Sequence, residues 1–256
     1  MRGGDPPGAG SRRGWHHGCV RAIIFDFFGT LTDPAAEAER RPTFAATASA
    51  LGVPAEPFWA AMSGSFPERI TGTHGGTRAT LLEMARRCGV HPSERQLEAA
   101  VAAQRSGAER VRRPRPGVLD VLAGLRAVGF RLAVLSDCSS ELCEGWSGTA
   151  FASRFDAAVF SWQEGYRKPD ARLYATAAAR LGVPASECWF VGDGGSREHQ
   201  GAHSAGMRPV LVTNAGYPGA TAFRDDPDPF VPDFVVDDLA EVPGLVGAPS
   251  RTADSL

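Results

Sequence analysis

Five side chains in this 256-residue sequence have the types and positions for joint chemistry: Asp26, Ser136, Lys168, Asp193 and Glu198. Asp26 follows the apolar run Ala22-Ile23-Ile24-Phe25, Ser136 closes Leu132-Ala133-Val134-Leu135, and Asp193 follows Cys188-Trp189-Phe190-Val191-Gly192. Lys168 stands in the loop after a further run, Ala157 to Ser161. Short apolar, β-favouring runs read as strands buried on both faces, and an open parallel sheet binds ligands at the carboxyl ends of such strands. The set is a kit for phosphoryl transfer. Asp26 can act as a carboxylate nucleophile and as a metal ligand. Asp193, with Glu198 five positions on, can complete an oxygen-rich Mg²⁺ site, directly or through water. Ser136 can donate to a phosphoryl oxygen, while Lys168 neutralises developing charge and keeps Asp26 ionised. The cation offsets the repulsion between an anionic nucleophile and an anionic substrate. Gly29 lets the backbone turn sharply after Asp26 and come close to a ligand.

Composition narrows the setting. Lys168 is the only lysine among 27 basic residues, so it does something a guanidinium does not, such as acting as a compact point charge beside a phosphate. With 29 acidic residues against those 27, there is no basic field to attract nucleic acid or an anionic membrane. No apolar run approaches the roughly 20 residues of a membrane helix. Residues 1–19, with Gly3-Gly4, Pro6-Pro7 and Arg12-Arg13, lack the apolar middle of a secretory signal and read as a flexible tail. Five cysteines without a Cys-x-x-Cys pair fit a reducing cytosol. These features predict a cytoplasmic protein; the phosphoryl-transfer kit adds a small phosphorylated metabolite as its partner, and monomer or homodimer is left open.

The elements that position the five residues follow from periodicity. Residues 34–114 read as helical: Phe44, Thr47, Ala48 and Leu51 share a face, Phe58, Trp59, Met62 and Phe66 suggest a second helix, and Leu81, Leu82, Ala85 and Cys88 a third. Ser93 and Gln96 form a capping box that opens a fourth. The glycine-rich Thr71 to Gly76 reads as a mobile loop. After Pro114 strands and helices alternate, with late strands at Val210 to Thr213 and Phe234 to Val236. The prediction is an α/β protein with a Rossmann-like parallel sheet over 20–33 and 115–245, an inserted all-helical cap over 34–114, and a second tail over 246–256.

The stretches FDFFGTLTD (25–33), LAVLSD (132–137), GYRKPD (165–170) and FVGDGGSREHQGAHSAGM (190–207) resemble, in kind and order, the four signature segments of the haloacid dehalogenase-like hydrolase superfamily. The helical insert is similar to the cap of its first subgroup. The resemblance implies Asp26 as nucleophile, Ser136 and Lys168 beside the phosphoryl group, Gly29 and Thr30 at the substrate, and Mg²⁺ held by Asp26, Asp193, Glu198 and the carbonyl of Phe28.

Two positions depart from that pattern. Phosphatases of the superfamily carry a second Asp two residues after the nucleophile, and here that position is Phe28. A phenyl ring moves no proton, a loss that typically costs ~10²- to 10⁴-fold. Asp137 stands after Ser136 where Asn is commoner, at the edge of the substrate pocket, and is a candidate to take over the proton transfer. An aromatic residue at position 28 also resembles 2-haloacid dehalogenases, which attack carbon and need no metal, although Asp193 and Glu198 keep the metal pattern. A protein that binds a phosphorylated ligand or a partner without turnover is the third reading. A Schiff-base lysine is absent from 34–114, which argues against a phosphonoacetaldehyde hydrolase.

Other features have plainer readings. His199 and His203, four apart, read as a solvated helix face, and Asp225-Asp226-Pro227-Asp228 as a solvated loop. Gly145-Trp146-Ser147-Gly148 misses the spacing of a nucleophile elbow. Trp59, Met62 and Phe66 read as core, with the option of lining the substrate side. Arg69, His74 and Arg78 flank the Gly72 to Gly76 loop, the part of the insert expected to reach the substrate, and are candidates to contact the substrate's distal group, against plain solvent exposure.

Overall fold

The computed structural model describes residues 22–217 and 226–247; the expected tails, apart from Val246 and Gly247, lie outside that range, as do Cys19 and Asp225. Six strands form one parallel sheet: β1 (Ala22–Phe25), β2 (Arg131–Ser136), β3 (Ala157–Phe160), β4 (Cys188–Gly192), β5 (Arg208–Val212) and β6 (Phe234–Val236), in the order β3-β2-β1-β4-β5-β6. Each coincides with an apolar run of the sequence.

β1 shows why such a run becomes a central strand. Its side chains alternate between two cores: Ile23 and Phe25 pack with Leu132, Val134 and Val191, while Ala22 and Ile24 pack with Ala133, Leu135 and Phe190. Burying each large side chain contributes about 1.5–3 kcal/mol, and a polar residue on either face would forfeit that. The helices that cover the sheet are α6 (Val118–Ala127) and α11 (Val242–Leu245) on the first face, and α9 (Ala171–Leu181) and α10 (Glu198–Ser204) on the second. Short helices α7 (Ser140–Gly145) and α8 (Ser161–Glu164) follow β2 and β3. Strand order reverses between β1 and β4, and the crevice there is where open α/β sheets bind ligands.

Between β1 and α6 the chain makes a 3₁₀ turn (Pro34–Glu39) and helices α1 (Arg40–Leu51), α2 (Ala55–Gly64), α3 (Phe66–Ile70), α4 (Thr77–Arg87) and α5 (Glu94–Val111). They share a separate core that includes Phe44, Leu51, Phe58, Met62, Leu81 and Leu97. The Ser93–Gln96 capping box opens α5 as its sequence predicts. The expected second helix is broken at Ser65 into α2 and α3. The insert leaves and rejoins the sheet side by side. Thr32 and Pro114 form an antiparallel bridge, Asp33 N–H donates to the Arg113 carbonyl at 2.9 Å, Arg115 N–H donates to the Leu31 carbonyl at 3.1 Å, and the Arg113 guanidinium holds Asp33 at 2.7 Å.

Several expectations need correction. The Gly72 to Gly76 turn does not face the crevice; it packs on α8, where Trp162 Nε1 donates to the Gly75 carbonyl at 3.0 Å. His199 is buried, not solvated: α10 is wedged against the sheet, and the imidazole Nε2 lies 3.1 Å from the Val210 carbonyl oxygen. The Asp228 side chain is also buried, because its carboxylate accepts the His199 and Gln200 amides at 2.6 and 2.9 Å and caps α10. His74 and Arg78 are engaged elsewhere, by Glu68 and Glu94.

Candidate active site

The carboxyl ends of β1 and β4 bring the predicted acids together. Asp26 lies one residue beyond β1, its amide donating to the Val191 carbonyl at 2.9 Å, so the two strands fix where the carboxylate emerges. Asp193 lies one residue beyond β4, and Glu198 opens α10. One oxygen from each of Asp26, Asp193 and Glu198 lies within 4.8 Å of the others, and all three residues are buried. Lys168 Nζ donates to Asp26 Oδ1 and, at 2.6 Å, to Glu198 Oε2. Gly194 N–H donates to Glu198 Oε1 at 2.8 Å. Both Glu198 oxygens therefore have protein partners, which suits it to reach a cation through water and to orient Lys168.

Three clustered carboxylates around one ammonium leave an excess of negative charge in a buried place. Burial pushes Asp26 well above the usual carboxylate range; Lys168 pulls it back, and Glu198 and Asp193 push it further. For Lys168, burial acts downward but Asp26, Glu198 and Asp137 outweigh it and raise the ammonium well above its ordinary value. Glu198 ends below its ordinary value, because Lys168 and His199 overcome its burial. An all-oxygen donor set with surplus negative charge fits a hard divalent cation such as Mg²⁺. Asp26 and Asp193 are the residues placed to hold it, with Glu198 behind them.

The remaining predicted residues fall into two groups. Phe28, Gly29, Asp137 and Lys168 line a cavity of about 370 Å³ that also has Asp26, Asp193 and Glu198 in its wall. Asp137 does not stand free: its Oδ1 accepts the Lys168 backbone N–H at 3.0 Å, which fixes the loop carrying the ammonium. Burial raises its pKa, against the pull of Lys168. Ser136 and Thr30 are not part of the cavity wall. Their hydroxyls are buried with no hydrogen-bond partner among the described residues, so each is an unspent donor just off the site.

Sequence reasoning flagged Trp59, Phe66 and Arg69 for the substrate side but missed Arg115, Asn214, Arg40, Gln104 and Arg112, which also brace and roof this site. Arg115 is buried and donates to the Thr30 carbonyl and to Asn214 Oδ1, both at 3.0 Å, while Asn214 Nδ2 donates to the Gly29 carbonyl at 2.8 Å. Together they clamp the turn after Asp26. From the insert, Arg40 lies over the Phe28 ring at 4.8 Å, and Trp59, Phe66, Arg69, Gln104 and Arg112 join the cavity wall. Met62 stays in the insert's own core. Pro114-Arg115-Pro116, where the insert rejoins the sheet, was the one local signal for Arg115; the others are set by packing between distant segments.

With this geometry in hand, known proteins provide a frame. The family described as "haloacid dehalogenase-like hydrolase" matches residues 20–206. The chain belongs to that family of hydrolases. A glyceraldehyde 3-phosphate phosphatase of Methanopyrus kandleri is 32% identical over 164 residues, 64% of this chain and 69% of the relative. A phosphoserine phosphatase of Thermus thermophilus is 32% identical over 225 residues, 87% of this chain and 86% of the relative. Among solved structures, a 2-haloacid dehalogenase of Pseudomonas syringae pv. Tomato superposes with a TM-score of 0.63 at 27% identity, covering 89% of this chain and 98% of the other. In this haloacid dehalogenase-like hydrolase the matched span includes Asp26, Ser136, Lys168, Asp193 and Glu198.

Proposed function

We propose that this hydrolase is a Mg²⁺-dependent phosphatase of small phosphorylated metabolites, with 34–114 as its cap and 20–33 plus 115–245 as its catalytic core. The observation that carries the reading is the buried group of Asp26, Asp193 and Glu198 around the single ammonium of Lys168. A bound Mg²⁺ would supply charge neutralisation between the carboxylates and the phosphoryl oxygens.

The chain's own residues account for the rest. Asp26 Oδ attacks phosphorus, the bond to the ester oxygen breaks with its electron pair, and an aspartyl-phosphate forms; water then attacks that phosphorus and releases inorganic phosphate and free Asp26. Lys168 holds Asp26 in place and faces the charge that builds on the phosphoryl oxygens. Phe28 supplies no proton to the leaving alkoxide, so turnover is slow for esters with basic leaving groups. The named phosphatase activities of the relatives from Methanopyrus kandleri and Thermus thermophilus support this reading.

Phe28 favours a second reading, attack of Asp26 on the carbon of a 2-haloacid. A dehalogenase gains nothing from two further acids beside its nucleophile, which weighs against it. One assay separates the two: phosphate release from a panel of small phosphoesters, beside halide release from 2-haloacids, each with Mg²⁺ and with chelator, and with Asp26→Asn as blank. Phosphate release that needs Mg²⁺ supports the phosphatase. Halide release in chelator supports the dehalogenase, and binding without either product supports a non-catalytic ligand-binding protein.

A further inference from the structure

The cavity runs from the carboxylates at the sheet edge to a second wall, built by the insert, that the transfer chemistry does not use. Two guanidinium groups in that wall lack an anion. Arg69 is 6% exposed, and its Nε and Nη2 both donate to the Met62 carbonyl, at 3.2 and 3.0 Å. No carboxylate among the described residues lies within ion-pair distance of it. A neutral carbonyl does not balance a guanidinium withdrawn from water, and a buried charge without a counter-ion is costly. Burial accordingly pushes Arg69 down from its ordinary value, with Glu141 opposing and Arg40 adding.

Arg112, half-buried at the end of α5, likewise has a neutral acceptor and no ion pair among the described residues. Its Nη1 donates to the Glu141 carbonyl at 2.7 Å, again a neutral acceptor. A Cβ on Gly145 would lie 2.8 Å from that Nη1, so the glycine leaves the space the guanidinium occupies. The neighbouring carboxylates are committed. Glu37 pairs with Arg40, and the two oxygens of Glu141 accept from Gln104 Nε2 at 2.8 Å and Ser139 Oγ at 2.6 Å. Glu109 and Glu141 act on Arg112 without forming an ion pair with it.

We propose that Arg69 and Arg112 form a second anion subsite, and that the substrate is a small phosphoester whose far end carries another anionic group, a carboxylate or a second phosphoryl. The assignment of the reacting end rests on the phosphatase reading. The planar donor fork of arginine matches either group, which a neutral hydroxyl or alkyl end would not satisfy. Residues at the catalytic end thus select for phosphorus, and the insert selects for charge at the other end.

The test uses the full chain with Mg²⁺ and three esters of one chain length: propyl phosphate, 3-phosphonooxypropanoate and propane-1,3-diyl bisphosphate. kcat/KM for a doubly anionic ester is expected to exceed that for propyl phosphate by about 10- to 100-fold, and the better of the two identifies the distal group. Arg112→Gln and Arg69→Met are each expected to collapse that ratio to within about threefold of unity. Calorimetric titration of the three esters into Asp26→Asn is expected to give the same order without turnover. Arg69 also holds the Met62 carbonyl, so thermal unfolding checks that Arg69→Met is folded. Arg112→Gln and Gly145→Leu, which displaces the Arg112 guanidinium, carry the test without it. Equal kcat/KM for all three esters, or a ratio unmoved by Arg112→Gln and Gly145→Leu, overturns the subsite and leaves the phosphatase standing. Release of phosphate from none of them overturns the phosphatase, and the order of binding then decides the subsite by itself.

Discussion

A Cβ on residue 29 would lie 2.7 Å from Asp193 Oδ2, and the backbone there has φ of +76°. Glycine is required twice over: an L side chain in this conformation costs about 1–2 kcal/mol, and its first carbon would displace a carboxylate of the site. Gly29→Ala is expected to weaken Mg²⁺ at least about tenfold and to lower thermal stability by roughly that conformational cost. Phosphate release titrated against Mg²⁺ measures the first effect. An unchanged Mg²⁺ midpoint would show that Asp193 is not a metal-holding residue.

Lys168→Met leaves Asp26, Asp193 and Glu198 with no ammonium between them. Breaking a buried pair in this way costs about 3–5 kcal/mol, and loss of a charge-stabilising donor lowers kcat by about 10²- to 10³-fold. Mg²⁺ is expected to recover much of the stability and little of the rate. Lys168→Arg is not expected to rescue, because Nζ is already 2.6 Å from Glu198 Oε2 in a side chain 2% exposed and a guanidinium is bulkier. Melting curves with and without Mg²⁺, beside initial rates, check both statements.

The pH dependence of the metal-free protein follows from Asp26. Burial, resisted by Lys168 and reinforced by Glu198 and Asp193, raises its folded pKa above the value of 3.8 for a free Asp. An acid raised on folding stabilises the native state while protonated, and that contribution is lost as pH rises from the unfolded pKa through the folded one. Glu198 is lowered and acts in the opposite sense, but only below its free value of 4.5. The melting temperature of metal-free protein is therefore expected to fall as pH rises from about 5 toward 8. Saturating Mg²⁺ removes that fall, since the ion takes the ionised carboxylate. Asp26→Asn without metal should show a flatter curve; an equally steep one would assign the effect to another group.

Phe28→Asp restores the residue type of a general acid, yet the neighbour at that position works against it. The Arg40 guanidinium over the ring, 4.8 Å from its centre, would hold the new carboxylate ionised and unable to donate a proton. Phe28→Asp alone is expected to raise kcat by about tenfold or less, and Phe28→Asp with Arg40→Gln by about 10². Rates for esters whose alcohols differ in basicity provide the measurement. An equal gain in the single and double variants would show that Arg40 does not control position 28.

The catalytic end of the site was legible because each of its residues is tied to a local signal. Asp26, Ser136 and Asp193 terminate strands that are buried on both faces, so their sequence context is a continuous apolar run. Lys168 stands out as the single lysine. At the insert end the glycine-rich turn drew attention to Arg69, but Gln104 and Arg112 left no such trace. Gln104 in α5 and Arg112 at its end meet Glu141 of α7, 37 and 29 residues away in sequence, and Arg69 comes from α3, so packing between distant segments brings them together. His199 misled for a similar reason: periodicity marks a polar residue as outward, but α10 has only seven residues and is buried on more than one side. The Gly72 to Gly76 turn was placed near the substrate by composition alone, and Trp162 holds it elsewhere.

The bridge between Thr32 and Pro114 has a mechanical consequence. Two cords fastened next to each other permit a body to swing about one line and resist sliding or twisting, so the helices can part from the sheet much as a door parts from its frame. Pro34 and Val111, cavity residues two and three positions from the bridge in sequence, stay close to that line, whereas Trp59 and Phe66 are carried by the helices beyond it.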